Sequence, residues 1–222
     1  NLEITLKNNS FLFVDCDPGV SAELNDYFAF FAPGHKYQPL FKKKLWDGKI
    51  RLWNRMTQEL NTGLYLKLKD FCMNRGYTMT LRDSDEYGLP NAKNPINHIE
   101  TMKYIKSLNL PWEIRDYQYD AVAYGITHKK AVLQSPTGSG KSLIIYTLLR
   151  WYLDNHDQNI LIVVPTTSLV EQMFNDFKEY GFDSDNDCHI IYSGKDKDTN
   201  KRVTISTWQS IYKLKPEWFR QF

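Results

Sequence analysis

Ser135-Pro-Thr-Gly-Ser-Gly-Lys-Ser142 is the stretch on which the reading of this chain turns. It lies between an apolar run, Ala131-Val-Leu-Gln134, and Leu143-Ile-Ile-Tyr-Thr-Leu-Leu149, whose spacing predicts a helix over 141–153. Strand, glycine-rich turn and helix form the context that a phosphate-binding loop requires. Gly138 and Gly140 permit backbone conformations that a side chain would obstruct, so that successive N–H groups from Thr137 to Ser142 can converge on phosphate oxygens. The helix start adds the positive end of its dipole. Lys141 is placed to carry a point charge to the β and γ phosphates, and the Ser142 hydroxyl to ligate Mg²⁺. Ser135 stands where such loops usually carry Gly or Ala, a small residue for a small residue.

Outward from the loop, apolar runs alternate with helical patterns. Strands are predicted at 131–134, 159–164, 188–192 and 202–206, and a further helix at 168–180. Alternation of this kind implies a parallel sheet covered on both faces. The first eighty residues read differently. Leu2-Glu-Ile-Thr-Leu-Lys and Phe11-Leu-Phe-Val-Asp are expected to be strands joined at Asn8-Asn9-Ser10. A helix is expected from Ser21 through Phe31, a strand over Lys49–Asn54 after an Asp47-Gly48 turn, a helix over Leu64–Arg75 closed by Gly76, and a strand over Tyr77–Leu81. The fold class is therefore α/β, with a small N-terminal α+β domain over 1–84. Turn formers and prolines cluster from Asp83 to Pro95, marking a linker over 85–110 that ends in a short amphipathic helix carrying Ile99, Met102, Ile105 and Leu108. The phosphate-loop domain is expected over 111–222.

Composition bounds the rest. Of 222 residues, 28 are basic and 26 acidic, so any affinity for nucleic acid must come from a local patch. Cys16, Cys72 and Cys188 lie too far apart for a zinc knuckle or disulfide framework, which fits a reduced, intracellular setting. The five histidines show no metal-site spacing, and Asp183, Asp185 and Asp187 read as a solvated loop. No apolar run approaches the roughly 20 residues of a membrane span. The first residue is Asn, which suggests a partial chain.

One local patch exists. Between Lys36 and Arg55, seven basic residues stand against one acid, Asp47, giving +6 in 20 positions, interleaved with Tyr37, Phe41, Trp46 and Trp53. Clustered cations neutralise phosphates, and aromatic faces stack on bases. Alternation puts Lys49 and Arg51 on one side of a strand and Ile50 and Leu52 on the other. Lys42, Lys43, Lys44, Trp46, Lys49 and Arg51 are thus candidate nucleic-acid contacts; the alternative is a solvated charge run around a buried Trp46.

Three further segments narrow the class of phosphate-loop protein. Arg115-Asp-Tyr-Gln118 ends 23 residues before Lys141. Val164-Pro-Thr-Thr-Ser-Leu-Val-Glu-Gln172 and Val203-Thr-Ile-Ser-Thr-Trp-Gln-Ser-Ile211 each run from a predicted strand into a turn. With the loop itself, these resemble the motifs of superfamily two helicases and translocases, in order and spacing. The resemblance implies that Gln118 reads the adenine edge, a task a carboxamide can perform because it both donates and accepts, with Arg115 beside it. It implies backbone contacts to nucleic acid by Thr166 and Thr167 and by Thr207, Gln209 and Ser210. Each also has a structural alternative: Ser168 and Glu171 fit a capping box, Thr207 or Ser210 a helix cap, and Gln118 a plain helix start.

Phe41-Lys-Lys-Lys-Leu-Trp-Asp-Gly-Lys-Ile-Arg-Leu-Trp53 and Pro216-Glu-Trp-Phe-Arg-Gln-Phe222 resemble the UvsW-type DNA helicases of T-even-like phages, over essentially the whole chain. That family sets a small α+β domain before its first RecA-like domain. The resemblance implies an ATP- and Mg²⁺-dependent monomer in the cytoplasm of the infected host, acting on branched or duplex DNA, including R-loops. Hydrolysis in this family needs an acidic pair after the loop and an arginine from a second RecA-like domain. Here the one Asp-Glu pair, Asp85-Glu86, precedes the loop, so this portion is not expected to turn over alone. A restriction-system motor, an RNA helicase, and a nucleotide- or DNA-binding module without motor function are the competing readings.

Overall fold

Leu2 and Ile4, and likewise Leu12 and Val14, recur at a period of two, and all four are fully buried. They belong to β1 (Leu2–Leu6) and β2 (Phe11–Cys16), an antiparallel pair with Leu2 opposite Cys16. The connecting turn is held by Asn8, whose Oδ1 accepts the Ser10 and Phe11 N–H groups, both at 2.9 Å. The computed structural model describes residues 1–82, 97–128, 131–192 and 194–222. It divides into two compact units, Asn1–Leu89 and Pro90–Phe222. The linker turn formers from Asp83 to Pro95 and the Asp85-Glu86 pair fall outside the described residues.

In the first unit, α1 spans Pro18–Tyr27, starting and ending earlier than the expected Ser21–Phe31. Pro18 pre-sets the first helical turn at no hydrogen-bond cost. Ser21 is buried, and its Oγ accepts the Trp53 indole N–H at 3.2 Å. Ala29–Phe31 leaves the helix to become β3, because it gains an antiparallel partner in β4 (Lys49–Arg51), with Phe30 opposite Ile50. Between them lies the short helix α2 (Pro39–Lys42). The expected strand Lys49–Asn54 therefore divides at Leu52: β4 stays in this two-stranded ribbon, and β5 (Trp53–Asn54) joins β6 (Glu59–Asn61) in the main sheet. Helix α3 (Tyr65–Arg75) ends as expected at Gly76, φ +67°, where the Tyr77 N–H reaches back to the Cys72 carbonyl at 2.9 Å. β7 (Met79–Leu81) completes the sheet order β5-β6-β2-β1-β7. Leu24, Leu68, Phe71 and Trp53 pack the sheet against α1 and α3.

In the second unit, α4 (His98–Ser107) is capped by Asn97 and packs Ile105 against Val122 of α5 (Asp116–Thr127) and Ile144 of α6 (Lys141–Asn155). β8 (Ile160–Val164), α7 (Thr167–Glu179), the single turn α8 (Ser184–Asp187), β9 (Cys188–Ile191) and β10 (Val203–Thr207) follow, then the short helices α9 (Trp208–Ile211) and α10 (Pro216–Phe219). The sheet is wholly parallel, ordered β8-β10-β9. Val170, Met173 and Phe177 of α7 and Tyr146 and Leu149 of α6 pack with Val203 and Ile205 of β10.

One expected strand is absent. Ala131–Gln134 forms no ladder, and Val132 is 93 % exposed. An apolar run becomes a buried strand only where neighbours take up its N–H and C=O groups, and no described strand lies beside this one. Asp183 is a cap, accepting the Asn186 N–H at 3.2 Å, and Asp185 pairs with Lys178. No group of His, Cys, Asp and Glu among the described residues could hold a metal, and no described helix is long and apolar enough to cross a membrane.

Candidate functional site

The phosphate loop hands its chain directly to α6. Gly140 is the N-cap residue, at φ +76° and ψ +39°, and Gly138 sits at φ +80°, both left-handed. Gly140 is required twice over. A Cβ there would stand 2.4 Å from Gln118 Nε2, whereas one at Gly138 would meet nothing within 4 Å. Thr137 and Gly138 are exposed and Ser139 is buried, its Oγ donating to the Pro136 carbonyl at 2.8 Å and paired with Ser135 Oγ. Ser135 thus acts as an internal tie in the loop. The Lys141 ammonium curls back on the loop, donating to the carbonyls of Pro136 at 2.7 Å and Ser135 at 3.3 Å. Ser142 is half-buried in the first turn of α6.

Gln118 is 5 % exposed and joins two motifs that are far apart in sequence. Its Oε1 accepts the Arg115 N–H at 3.0 Å, and its Nε2 donates to the Ser139 carbonyl at 2.9 Å. It is both a helix-start residue and a residue of the loop. A carboxamide so engaged keeps one donor hydrogen and one acceptor lone pair, the pair an adenine edge needs. Arg115 donates to the Tyr117 hydroxyl at 3.2 Å, which donates in turn to the Ser139 carbonyl at 3.2 Å. A cleft of about 470 Å³ opens here, lined by Arg115, Gln118, the 138–140 backbone, Trp112 and Tyr180. The two rings meet edge to face at 5.7 Å. Burial pushes the Tyr180 phenol above its ordinary pKa, and the Ser142 hydroxyl opposes the shift. Trp112, Tyr117 and Tyr180 were not legible as site residues; Tyr117, inside the Arg115–Gln118 motif, offered the nearest signal.

At the carboxyl ends of the parallel strands, Val164 stands opposite Thr207, and Ser206 opposite Ile191. In open α/β sheets ligands bind at this end. Thr166, Thr167 and Ser168 are exposed, but the cap is Thr166, whose Oγ1 accepts the Leu169 N–H at 3.3 Å. The capping box expected at Ser168 and Glu171 does not form; Glu171 accepts the Tyr192 hydroxyl at 3.0 Å instead. Thr207 is 4 % exposed and its hydroxyl pairs with Ser210 at 2.8 Å, so it orients Ser210 and does not reach the surface itself. Gln209 is exposed and bonds the Pro165 carbonyl at 3.4 Å, tying the two loops together.

In the first unit the basic segment surrounds the β3–β4 ribbon. Lys42, Lys43 and Lys44 are exposed. Trp46 is half-buried and donates its indole N–H to the Lys49 carbonyl at 3.0 Å, so it closes the turn into β4. The ammonium of Lys49 lies 5.5 Å from the Phe31 ring centre. Arg51 is exposed but not free: its guanidinium grips both oxygens of Asp47. That grip, helped by the Lys49 N–H, holds the Asp47 carboxyl down at about 2. The alternation reading holds for Leu52, which packs on the core, and fails for Ile50, which is exposed.

Residues 1–82 match the family model described as DNA helicase UvsW, N-terminal, and residues 111–221 match that of the Type III restriction enzyme, res subunit. The ATP-dependent DNA helicase uvsW of Enterobacteria phage T4 is 34 % identical over 232 residues, covering 100 % of this chain and 45 % of the relative. The crystal structure of the UvsW helicase from bacteriophage T4 superposes with a TM-score of 0.83 at 33 % identity, covering 100 % of this chain and 80 % of that one. The chain belongs to the UvsW-type phage helicase family. A second T4 UvsW structure agrees, with a TM-score of 0.84, 33 % identity, and coverage of 100 % and 46 %. The DNA 3'-5' translocase XPB2 of Sulfurisphaera tokodaii is 32 % identical over 110 residues, 50 % of this chain and 23 % of that protein. The chain spans less than half the length of both curated relatives.

Proposed function

We propose that this chain is the N-terminal portion of an ATP-dependent DNA helicase or translocase acting on branched recombination, repair or fork intermediates. The observation that carries the reading is the direct bond from Gln118, in the helicase-type adenine segment, to the Ser139 carbonyl of the phosphate loop. That bond makes base recognition and phosphate recognition parts of one piece of structure. The loop fits ATP: two left-handed glycines turn its backbone, a 15-residue helix starts behind it, and one ammonium stands at its mouth. For Mg²⁺ this chain offers the Ser142 hydroxyl. Mg²⁺ completes its octahedron mainly with substrate phosphates and water, so one protein oxygen suits the role. The bound metal would neutralise charge on the β and γ phosphates; further carboxylates are expected from the remainder of the longer protein.

On the nucleic-acid side, Thr166, Thr167, Gln209 and Ser210 at the strand ends would follow a DNA backbone, with Thr207 holding Ser210. Lys42, Lys43, Lys44 and Lys49 would meet phosphates, and Trp46 would hold the turn that presents them. ATP would close this unit on a second motor domain, and differential DNA grip would convert closure into stepping. Action as a monomer in the host cytoplasm, on R-loops among other substrates, completes the proposal; the phage origin of the T4 relative supports the location. The restriction-type match over 111–221 describes the motor alone, and the UvsW match over 1–82 favours the helicase reading. The test is DNA-stimulated ATPase of the whole protein. Lys141→Ala is expected to abolish the stimulated rate, and a rate that persists would overturn the assignment.

A further inference from the structure

The β3–β4 ribbon leaves apolar side chains in water on both faces. Phe30 and Ile50 stand opposite each other at 47 % and 40 % exposure, Phe31 is exposed on the other face, and Tyr37 at the tip is 82 % exposed. None of these four belongs to the core cluster of the unit. Large apolar side chains left in water on an edge ribbon mark an interaction site. The rim decides the occupant. Lys36, Lys42, Lys43 and Lys44 are exposed around the tip, while the nearby acids, Asp47 and Asp26, both act on Arg51. A second copy would set lysines against lysines. The complementary partner is an anion that also carries flat apolar faces. Duplex DNA shows its phosphates but keeps its bases stacked, so the combination occurs where a duplex opens into unpaired strands.

We propose that this ribbon holds the junction between paired and unpaired DNA, with the lysines on duplex phosphates and the Phe30–Ile50 face and Tyr37 ring against unstacked bases. This rests on the DNA reading above and adds a preference for forks that lysines alone cannot supply. Removing an aromatic partner from an unpaired base weakens binding about tenfold. Each phosphate contact contributes about −0.9 to the logarithmic salt slope.

The test is fluorescence anisotropy of the 222-residue chain with a forked DNA and a blunt duplex of equal charge, repeated with 2-aminopurine at the first unpaired position. The variant Phe30→Ala/Ile50→Ala/Tyr37→Ala should fold normally and bind duplex like the parent. It should lose about tenfold on forks with its salt slope unchanged, and should no longer perturb 2-aminopurine emission. Lys42→Ala/Lys43→Ala/Lys44→Ala should weaken fork and duplex alike and reduce the slope by between about two and three. If the lysine variant behaves so while the apolar variant binds forks like the parent, the base-stacking proposal falls and the phosphate reading stands. Loss of a self-associated species in the apolar variant, by sedimentation, would assign the face to a second copy and overturn the proposal. Parent protein that binds neither DNA at low salt would overturn both.

Discussion

Gly140→Ala and Gly138→Ala change the same loop by the same methyl group, yet their costs should differ. Both residues are left-handed, at φ +76° and +80°, and a Cβ in that region costs about 1–2 kcal/mol. Gly138→Ala should cost no more than this, because its Cβ would meet nothing within 4 Å. Gly140→Ala adds a methyl carbon 2.4 Å from Gln118 Nε2, so the buried carboxamide must leave. It then gives up its bonds to the Ser139 carbonyl and the Arg115 N–H, at about 1 kcal/mol each. The total is about 3–4 kcal/mol, and the excess over Gly138→Ala, about 2 kcal/mol, is a factor of roughly 30 in the folding equilibrium constant. Titration of a fluorescent ATP analogue, with urea unfolding alongside, reads both costs. In a Gln118→Ala background the excess should vanish, since no carboxamide remains to be displaced. Equal losses for the two glycines, or no coupling to Gln118, would refute the claim that the Arg115–Gln118 segment and the glycine loop are locked together.

Four other outcomes follow from contacts elsewhere in the chain. Asp47→Asn should release Arg51, tightening DNA binding and steepening the salt slope by about one in anisotropy titrations. Because the Asp47 carboxyl is held down at about 2, its pairing should be complete above pH 4 and lost as pH falls through about 2, as an NMR titration of that carboxyl would show. Burial pushes the Cys188 thiol up to about 12 and Cys16 to about 11, so both should resist a thiol reagent at pH 8 in the native state and react fully in denaturant. Arg202 donates to the carbonyls of Leu153, His156 and Gln158 at the end of α6, and Arg202→Ala should lower the unfolding free energy of the second unit by about 2–4 kcal/mol in urea melts.

The phosphate loop was legible because its demands are local: glycine where φ is positive, lysine and serine at a helix start. Gln118 was legible as a candidate, but its bond to Ser139 depends on the fold bringing α5 to the loop. The cleft rings were hidden for the same reason, since Trp112 and Tyr180 are 68 positions apart and meet only when the end of α7 returns to α6. Ala131–Gln134 was misread because an apolar run reports a wish for burial, and burial needs neighbours. Phe28–Phe31 continued the aromatic face of α1, too short a stretch for period 3.6 to be told from period 2. Thr166, Thr167 and Ser168 can all cap a helix, and composition alone does not choose among three adjacent hydroxyls.

Arg202 has a mechanical consequence. It grips the far end of α6, a rod of 15 residues, about 22 Å long, whose near end is the phosphate loop. It also immediately precedes β10, whose opposite tip carries Gln209 and its link to Pro165. The closely packed interior between rod and strand yields little under load. A nucleotide and a nucleic acid bound as proposed would therefore pull on two arms of one stiff lever, with the guanidinium as its pin.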